Sequence, residues 1–201
     1  EKPPPYPDIF QVSKGPHIVY LSETHRIDYG EAPGSVGRLG SFIGYHEDVV
    51  KDDITRCLLE IGQQATVFEK LHPSAFPPAE DQITDVLNLR WVVLASHHQL
   101  WPLLWHADFV VGMRSMGLLE ACFMGKRVIS YQPGLIGMNQ CTAVNLGVAM
   151  SCHSYDSFRE VLNEEIICKK PDRRPETFDF AGPEVVGNIY SWLMNEGYLS
   201  A

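Results

Sequence analysis

The sequence predicts an α/β domain built on a doubly wound parallel sheet with helices on both faces. Three observations predict it. Short β-branched runs such as HIVYLS at 17–22, WVVLA at 91–95 and FVV at 109–111 are apolar nearly throughout, as strands covered on both faces are. These runs alternate with stretches of helical periodicity, of which Val50, Ile54, Leu58 and Ile61 are the clearest. At 201 residues with 45% apolar side chains, the chain can bury one full core. Strands alternating with helices imply right-handed crossovers and therefore parallel pairing.

The elements follow in order. Residues 1–14 carry Pro3, Pro4, Pro5 and Pro7 and read as a linker or extended arm, leaving 15–201 as a single domain. A Pro-rich start running straight into a strong strand suggests a preceding domain, cut away or carried on another chain. The first strand, 17–22, is apolar enough to be central. Residues 23–46 are polar and Gly-rich (Gly30, Gly34, Gly37, Gly40, Gly44), a length of loop that is usually functional or mobile. A helix is expected over 47–64, a strand over 65–71 and a weak helix over 77–88. A strand over 91–95 and a short helix over 98–105 come next. Residues 107–133 form a strand–helix–strand unit, with strands at 109–111 and 128–131 around a helix opening at Arg114-Ser115 and ending near Met124-Gly125. Beyond it lie a helix (139–146), a short strand (148–151) and a helix (155–165). A closing helix over 183–199 begins with Pro183 in its first turn.

A net charge of −9 argues against a nucleic-acid surface, which needs clustered Lys and Arg. It leaves room for a small phosphorylated ligand, which needs only local donors. No apolar run approaches a membrane span, and the opening Glu1-Lys2-Pro3 has no signal-peptide pattern. The cysteines, Cys57, Cys122, Cys141, Cys152 and Cys168, are odd in number and lack metal-type spacing. Cys57 and Cys122 fall on apolar helix faces. A reducing cytoplasm is the expected setting, with at most a peripheral place at a membrane. GxSxG, Walker, HExxH and GxGxxG patterns are all missing.

In open α/β sheets, ligands bind beyond the carboxyl ends of the strands. Polar residues gather at those ends: Ser22-Glu23, then Lys70 to Pro73, Ser96-His97, Arg114-Ser115, and Gln132. His72 precedes Pro73 and is held extended. Ser115 reads as a helix N-cap or as a phosphate contact at the helix start. Glu120 sits among Leu118, Leu119, Ala121, Cys122 and Phe123, which leave little room for a solvent stripe and favour a functional carboxylate. Arg114 reads equally as a phosphate cap and as a surface ion pair. His97-His98 lacks a third metal ligand, Trp101 and Trp105 read as packing, and Lys169 to Arg174 as a surface loop.

With IVYLSETHRIDYG, GYHEDVV, VFEKLHPSA and DFVVGMRSMGLLEACFMGKRVISYQP in hand, residues 17–161 resemble the C-terminal, nucleotide-sugar-binding half of a GT-B glycosyltransferase. The likeness is to the polysaccharide and capsule-biosynthesis type, and more loosely to bacterial sialyltransferases and polyol-phosphate transferases. The resemblance implies a Rossmann-like domain in which Lys70, His72 and Pro73 meet the donor phosphates, as does Ser115. It implies that Glu120 holds the ribose hydroxyls and that the base is read near 95–97. The donor would be a nucleotide-activated sugar, with no metal and no further cofactor. The acceptor, a glycan or lipid-linked glycan, would be held by a missing N-terminal domain or partner chain. The alternatives are a nucleotide-sugar 2-epimerase-like domain, whose Gly-Gly segment with paired Glu is absent, and a non-catalytic Rossmann-like interaction module.

Overall fold

The structure is a computed structural model and describes residues 4–168. Strand β1 (His17–Leu21) is central, with Ile18, Val19 and Tyr20 fully buried. Its alternation serves two cores, because Ile18 and Tyr20 face one side of the sheet and Val19 and Leu21 the other. After β1 come α1 (His25–Tyr29), α2 (Glu47–Ile61) and β2 (Ala65–Lys70). The chain continues through β3 (Gln82–Val86), β4 (Leu89–Val93), α3 (Leu100–His106) and β5 (Phe109–Gly112). It ends with α4 (Met116–Phe123), β6 (Arg127–Tyr131), α5 (Thr142–Asn145), β7 (Met150–Cys152) and α6 (Tyr155–Cys168). The seven strands order as β3-β4-β2-β1-β5-β6-β7.

Helices α2 and α6 cover one face through Val50, Ile54, Leu58, Phe158 and Leu162. Helices α3, α4 and α5 cover the other through Leu103, Leu104, Leu118, Cys122 and Ala143. The architecture is Rossmann-like and doubly wound. Burial pushes the Cys57 and Cys122 thiols up to about 12, which keeps them protonated and inert as core residues.

The structure corrects the expected elements at three places. The sheet is not wholly parallel, because β3 pairs antiparallel with β4 at its edge. That strand replaces the helix expected over 77–88. Ile83, Thr84 and Val86 favour extended backbone, and Asp85 faces Arg90 across the ladder with contacts of 2.7 and 2.6 Å.

The long loop over 23–46 is held rather than free, and it contains α1. Asp28 is its anchor: its carbonyl accepts Leu39 N and its carboxylate accepts from Thr24 and Arg38. Gly44, at φ +105°, closes the loop onto Gly134, where an added Cβ would lie 2.0 Å from the Gly134 carbonyl oxygen.

The Pro-rich start is docked from its described beginning. A 3-10 turn over Asp8–Val12 buries Ile9 and Phe10, and the Phe10 ring lies 4.4 Å from that of Phe68. The helix expected over 183–199 and the charged run 169–174 lie outside the described residues.

Truncating Phe10 to Ala is expected to cost about 3–4 kcal/mol, read from the urea midpoint at unchanged slope. A loss below about 1 kcal/mol would show that the arm is dispensable to the core.

Candidate functional site

The strand order reverses between β1 and β5. β1 leads outward to β2, whereas β5 leads the other way to β6. Such a switch point leaves a crevice at the carboxyl ends. Four of the residues singled out in the sequence meet there. The Ser22 N–H continues the pairing onto the Lys70 carbonyl, 3.0 Å away. The Glu23 carboxylate bridges the crevice, accepting the Arg114 N–H at 2.7 Å. Its other oxygen lies 2.9 Å from Nε2 of the buried His25 and 3.8 Å from Arg114 Nε. His25 Nδ1 makes no hydrogen bond among the described residues.

Arg114 is committed within the protein. Its guanidinium packs 4.7 Å from the Tyr29 ring centre and donates to Tyr29 Oη and Gln140 Oε1. Its backbone therefore arrives at α4 already fixed. Ser115 caps α4, its Oγ accepting the Gly117 N–H at 3.2 Å. Gly117 permits a close approach, since a Cβ there would lie 2.7 Å from the Leu21 side chain and 3.3 Å from that of Leu100. The starts of α3 and α4 thus sit side by side against the end of β1. Glu120 lies one turn on, half-buried on the side facing α3, and accepts the indole N–H of the exposed Trp101 at 3.1 Å. Contrary to the sequence expectation, Glu120 keeps access to solvent, and that access together with the indole bond is why a carboxylate is tolerated in this otherwise apolar helix.

A second group follows β2 and β4. Lys70 is half-buried with Nζ 3.5 Å from the Ser96 carbonyl oxygen. Burial draws its ammonium below the usual lysine range, and Asp81 acts in the opposite direction. His72 has ψ 142°, the extended backbone Pro73 requires, and its Nδ1 accepts from Ser74 N at 3.3 Å. A backbone N–H can only donate, so the neutral ring carries its proton on Nε2, which is left as a donor. Ser96 and His97 are exposed, and the His97 ring lies 4.2 Å from that of His98.

Gln132 stands apart. It is buried, donates to Ser130 Oγ and Asn139 Oδ1, and accepts from Tyr45 Oη. It lines a cleft of about 170 Å³ with Tyr29, Tyr45, Arg114 and Gln140. On the other side of the switch point, Ser22, Glu23, Glu47, Asp48, Lys51 and Glu69 line a more acidic cleft of about 270 Å³. No group of three or more His, Cys, Asp or Glu able to hold a metal ion is present among the described residues. Likewise, no helix there is long and apolar enough to cross a membrane.

Sequence reading missed Tyr29, Tyr45 and Gln140 as supports of Arg114 and Gln132. It also missed Asp81, which fell in a segment read as helix. Trp101 carried a usable signal, a large aromatic at a helix start beyond a strand end, but was assigned to packing.

No protein-family model and no curated protein matches the chain. Among solved structures, it is similar to UDP-GlcNAc 2-epimerase from Methanocaldococcus jannaschii, at 13% identity and a TM-score of 0.47, over 90% of this chain and 46% of that one. It is similar to the glycosyltransferase SnogD from Streptomyces nogalater, at 13% identity and a TM-score of 0.44, over 84% of this chain and 39% of that one. It is similar also to the wall teichoic acid polymerase TagF, at 13% identity and a TM-score of 0.46, over 93% of this chain and 46% of that one. The chain spans less than half the length of each. At these scores the residues themselves must carry any functional reading.

Replacing Glu23 by Ala removes the acceptor of the Arg114 N–H and is expected to cost about 2–3 kcal/mol. Gln, whose Oε1 can still accept that bond, is expected to cost about half as much. A loss no greater than that of the exposed Glu80→Ala, measured alongside in urea, would mean that Glu23 does not tie the crevice.

Proposed function

We propose that this chain is the donor-binding, C-terminal half of a GT-B glycosyltransferase of the polysaccharide-biosynthesis type. It takes a nucleotide-activated sugar, and the acceptor glycan or lipid-linked glycan is held by a second domain or partner chain. The observation that carries the reading is the arrangement around the switch point. The capped start of α4 follows β5, and the Lys70 ammonium and the His72 Nε2 donor follow β2, the two strands that flank β1, while the Glu120 carboxylate lies one turn along α4. That combination offers donors for a diphosphate and an acceptor for ribose hydroxyls.

The chemistry is displacement of the nucleotide from the sugar anomeric carbon. Negative charge grows on the leaving phosphate oxygen, and preorganised donors at that position lower the barrier. Lys70, His72 and the Met116 amide, the first-turn N–H of α4 that Ser115 does not take up, are the groups that supply them. Arg114 acts indirectly, fixing the turn into α4, because its guanidinium is spent on Tyr29, Gln140 and the neighbouring Glu23 and its N–H on the Glu23 carboxylate. Glu120 Oε1 is the oxygen left for ribose once the Trp101 indole holds Oε2. Ser96 and His97 stand where the base would lie.

The need for a second surface is supported by the carboxyl-end loops. Val36, Leu39, Phe76, Ile136 and Met138 project from them and are 61 to 91% exposed. Large apolar side chains around a polar site favour a covering partner.

Calorimetric titration with UDP, CDP, CMP, GDP and ADP tests the proposal. One nucleotide is expected to bind, with about tenfold weakening in each of His72→Ala and Glu120→Ala and about hundredfold in the double variant. Binding unchanged in the double variant, or no binding by any nucleotide, would contradict it.

A further inference from the structure

Asp81 lies in no sequence motif, yet three contacts converge on it. It precedes β3, in the hairpin that stands where a helix was expected. Its Oδ1 accepts the Ala95 N–H at 2.8 Å. His98 Nε2 lies 2.8 and 2.9 Å from its two oxygens, a fork that fixes the ring and the carboxylate together. One side chain thus grips both ends of the turn leaving β4, and the turn carries Ser96 and His97 at its exposed tip. The neighbouring Ser96 N–H donates to the Pro78 carbonyl at 3.4 Å, so the hairpin's lead-in supports the same turn.

The grip extends to β2. Lys70 Nζ lies 3.5 Å from the carbonyl oxygen of Ser96, within the turn Asp81 holds. We propose that Asp81 is a positioning residue, holding the 95–98 turn and the Lys70 ammonium in the arrangement that receives the donor nucleotide. The proposal rests on the nucleotide-sugar reading above and adds a residue outside its binding set.

Electrostatics gives it a distinctive signature. Partial burial pushes the Asp81 carboxyl up, but the Ala95 N–H and His98 outweigh that and hold it below the usual range, so it is an anion at neutral pH. Asp81 is the charged group acting on Lys70, and His97 and His98 act in turn on Asp81. Burial lowers the Lys70 pKa and Asp81 opposes that lowering. The ammonium binds phosphate below its pKa and loses charge as pH rises through it. Neutralising Asp81 therefore moves the alkaline loss of binding to lower pH. A residue that only supported the fold would leave that limb in place.

The test is Asp81→Asn in the 201-residue chain, with UDP, CDP, GDP and ADP titrated across pH 6 to 10 and the Lys70 ammonium titrated by NMR. The variant is expected to keep the wild-type melting profile within a few degrees and to bind about tenfold more weakly at neutral pH. Its Lys70 titration and its alkaline limb are both expected to move downward, and the Ala95 amide to exchange faster. If Asp81→Asn does not fold, His98→Gln removes one arm of the grip while leaving the Ala95 bond and the Asp81 charge, and a smaller loss of affinity at neutral pH with an unmoved Lys70 titration is expected, wild-type affinity in it overturning the proposal. Wild-type affinity together with an unmoved Lys70 titration in the variant would overturn the proposal while leaving the nucleotide reading intact. A wild-type chain that binds none of the diphosphates would overturn both.

Discussion

The connections of β1 and β5 run to opposite sides of the sheet, and the Glu23 carboxylate ties the ends of those two strands together. By accepting the Arg114 N–H it sets the turn from β5 into α4. It also stands close enough to the Arg114 guanidinium to balance its charge while that group packs on Tyr29 and reaches Gln140. Three segments are registered by this one unit: the 23–46 loop through Tyr29, the start of α4 through Ser115, and the loop after β6 through Gln140. A carboxylate and a guanidinium largely shielded from water are costly apart, so each holds the other in place. The start of α4 is therefore rigid before any ligand arrives, as preorganised stabilisation requires.

Charge divides the carboxyl edge into unlike regions. Glu23, Glu47, Asp48 and Glu69 face one cleft with Lys51 as the cation among its lining residues. A phosphate is disfavoured there by like-charge repulsion. Lys70, His72 and the α4 start lie outside that cleft's lining and are the local donors of a chain that is acidic overall. On the proposed reading an anionic ligand is therefore favoured at the ends of β2 and β5 over that acidic cleft. The cleft around Gln132, Tyr45 and Gln140 has Arg114 in its wall and lies on the far side of the switch point. With that guanidinium spent on Tyr29 and Gln140 and balanced by Glu23, its apolar wall and amide groups suit an uncharged polar ligand better than a phosphate.

The core was legible because its signals are local. HIVYL, after its first residue, and FVVG are apolar and sit at the sheet centre, and the helical spacing of Val50, Ile54 and Leu58 marks the face that α2 buries. Edge elements were less legible. Gln82–Val86 is exposed along its whole length, so burial gives it no pattern, and its pairing depends on Arg90 reaching Asp85. Helix α1 was hidden among glycines and is held by Asp28, whose contacts span 11 residues of sequence to Leu39. The candidate site was readable as a set of strand ends, because topology brings those ends together whatever the side chains do. What each residue does there was not readable. Arg114 and Ser115 are adjacent in the chain, yet one is turned inward to partners from two other loops and the other caps a helix. Glu120 stood out because its apolar neighbours in sequence hid both its partial exposure and its partner, Trp101, on another helix.

On the proposed reading a nucleotide binds at the carboxyl ends of β2 and β5, with its phosphate at the start of α4 and its ribose at Glu120. The most direct measurement is the ¹⁵N spectrum of the chain as nucleoside diphosphate is added, read at the Trp101 indole N–H and the Met116 and Gly117 amides. The indole bonds to the carboxylate that would take the ribose, and the amides belong to the turn that would take the phosphate. These three signals are expected to move together, on one binding curve. Saturable binding that leaves them still and instead moves Gln132 and Gln140 would place the ligand on the other side of the switch point and contradict it.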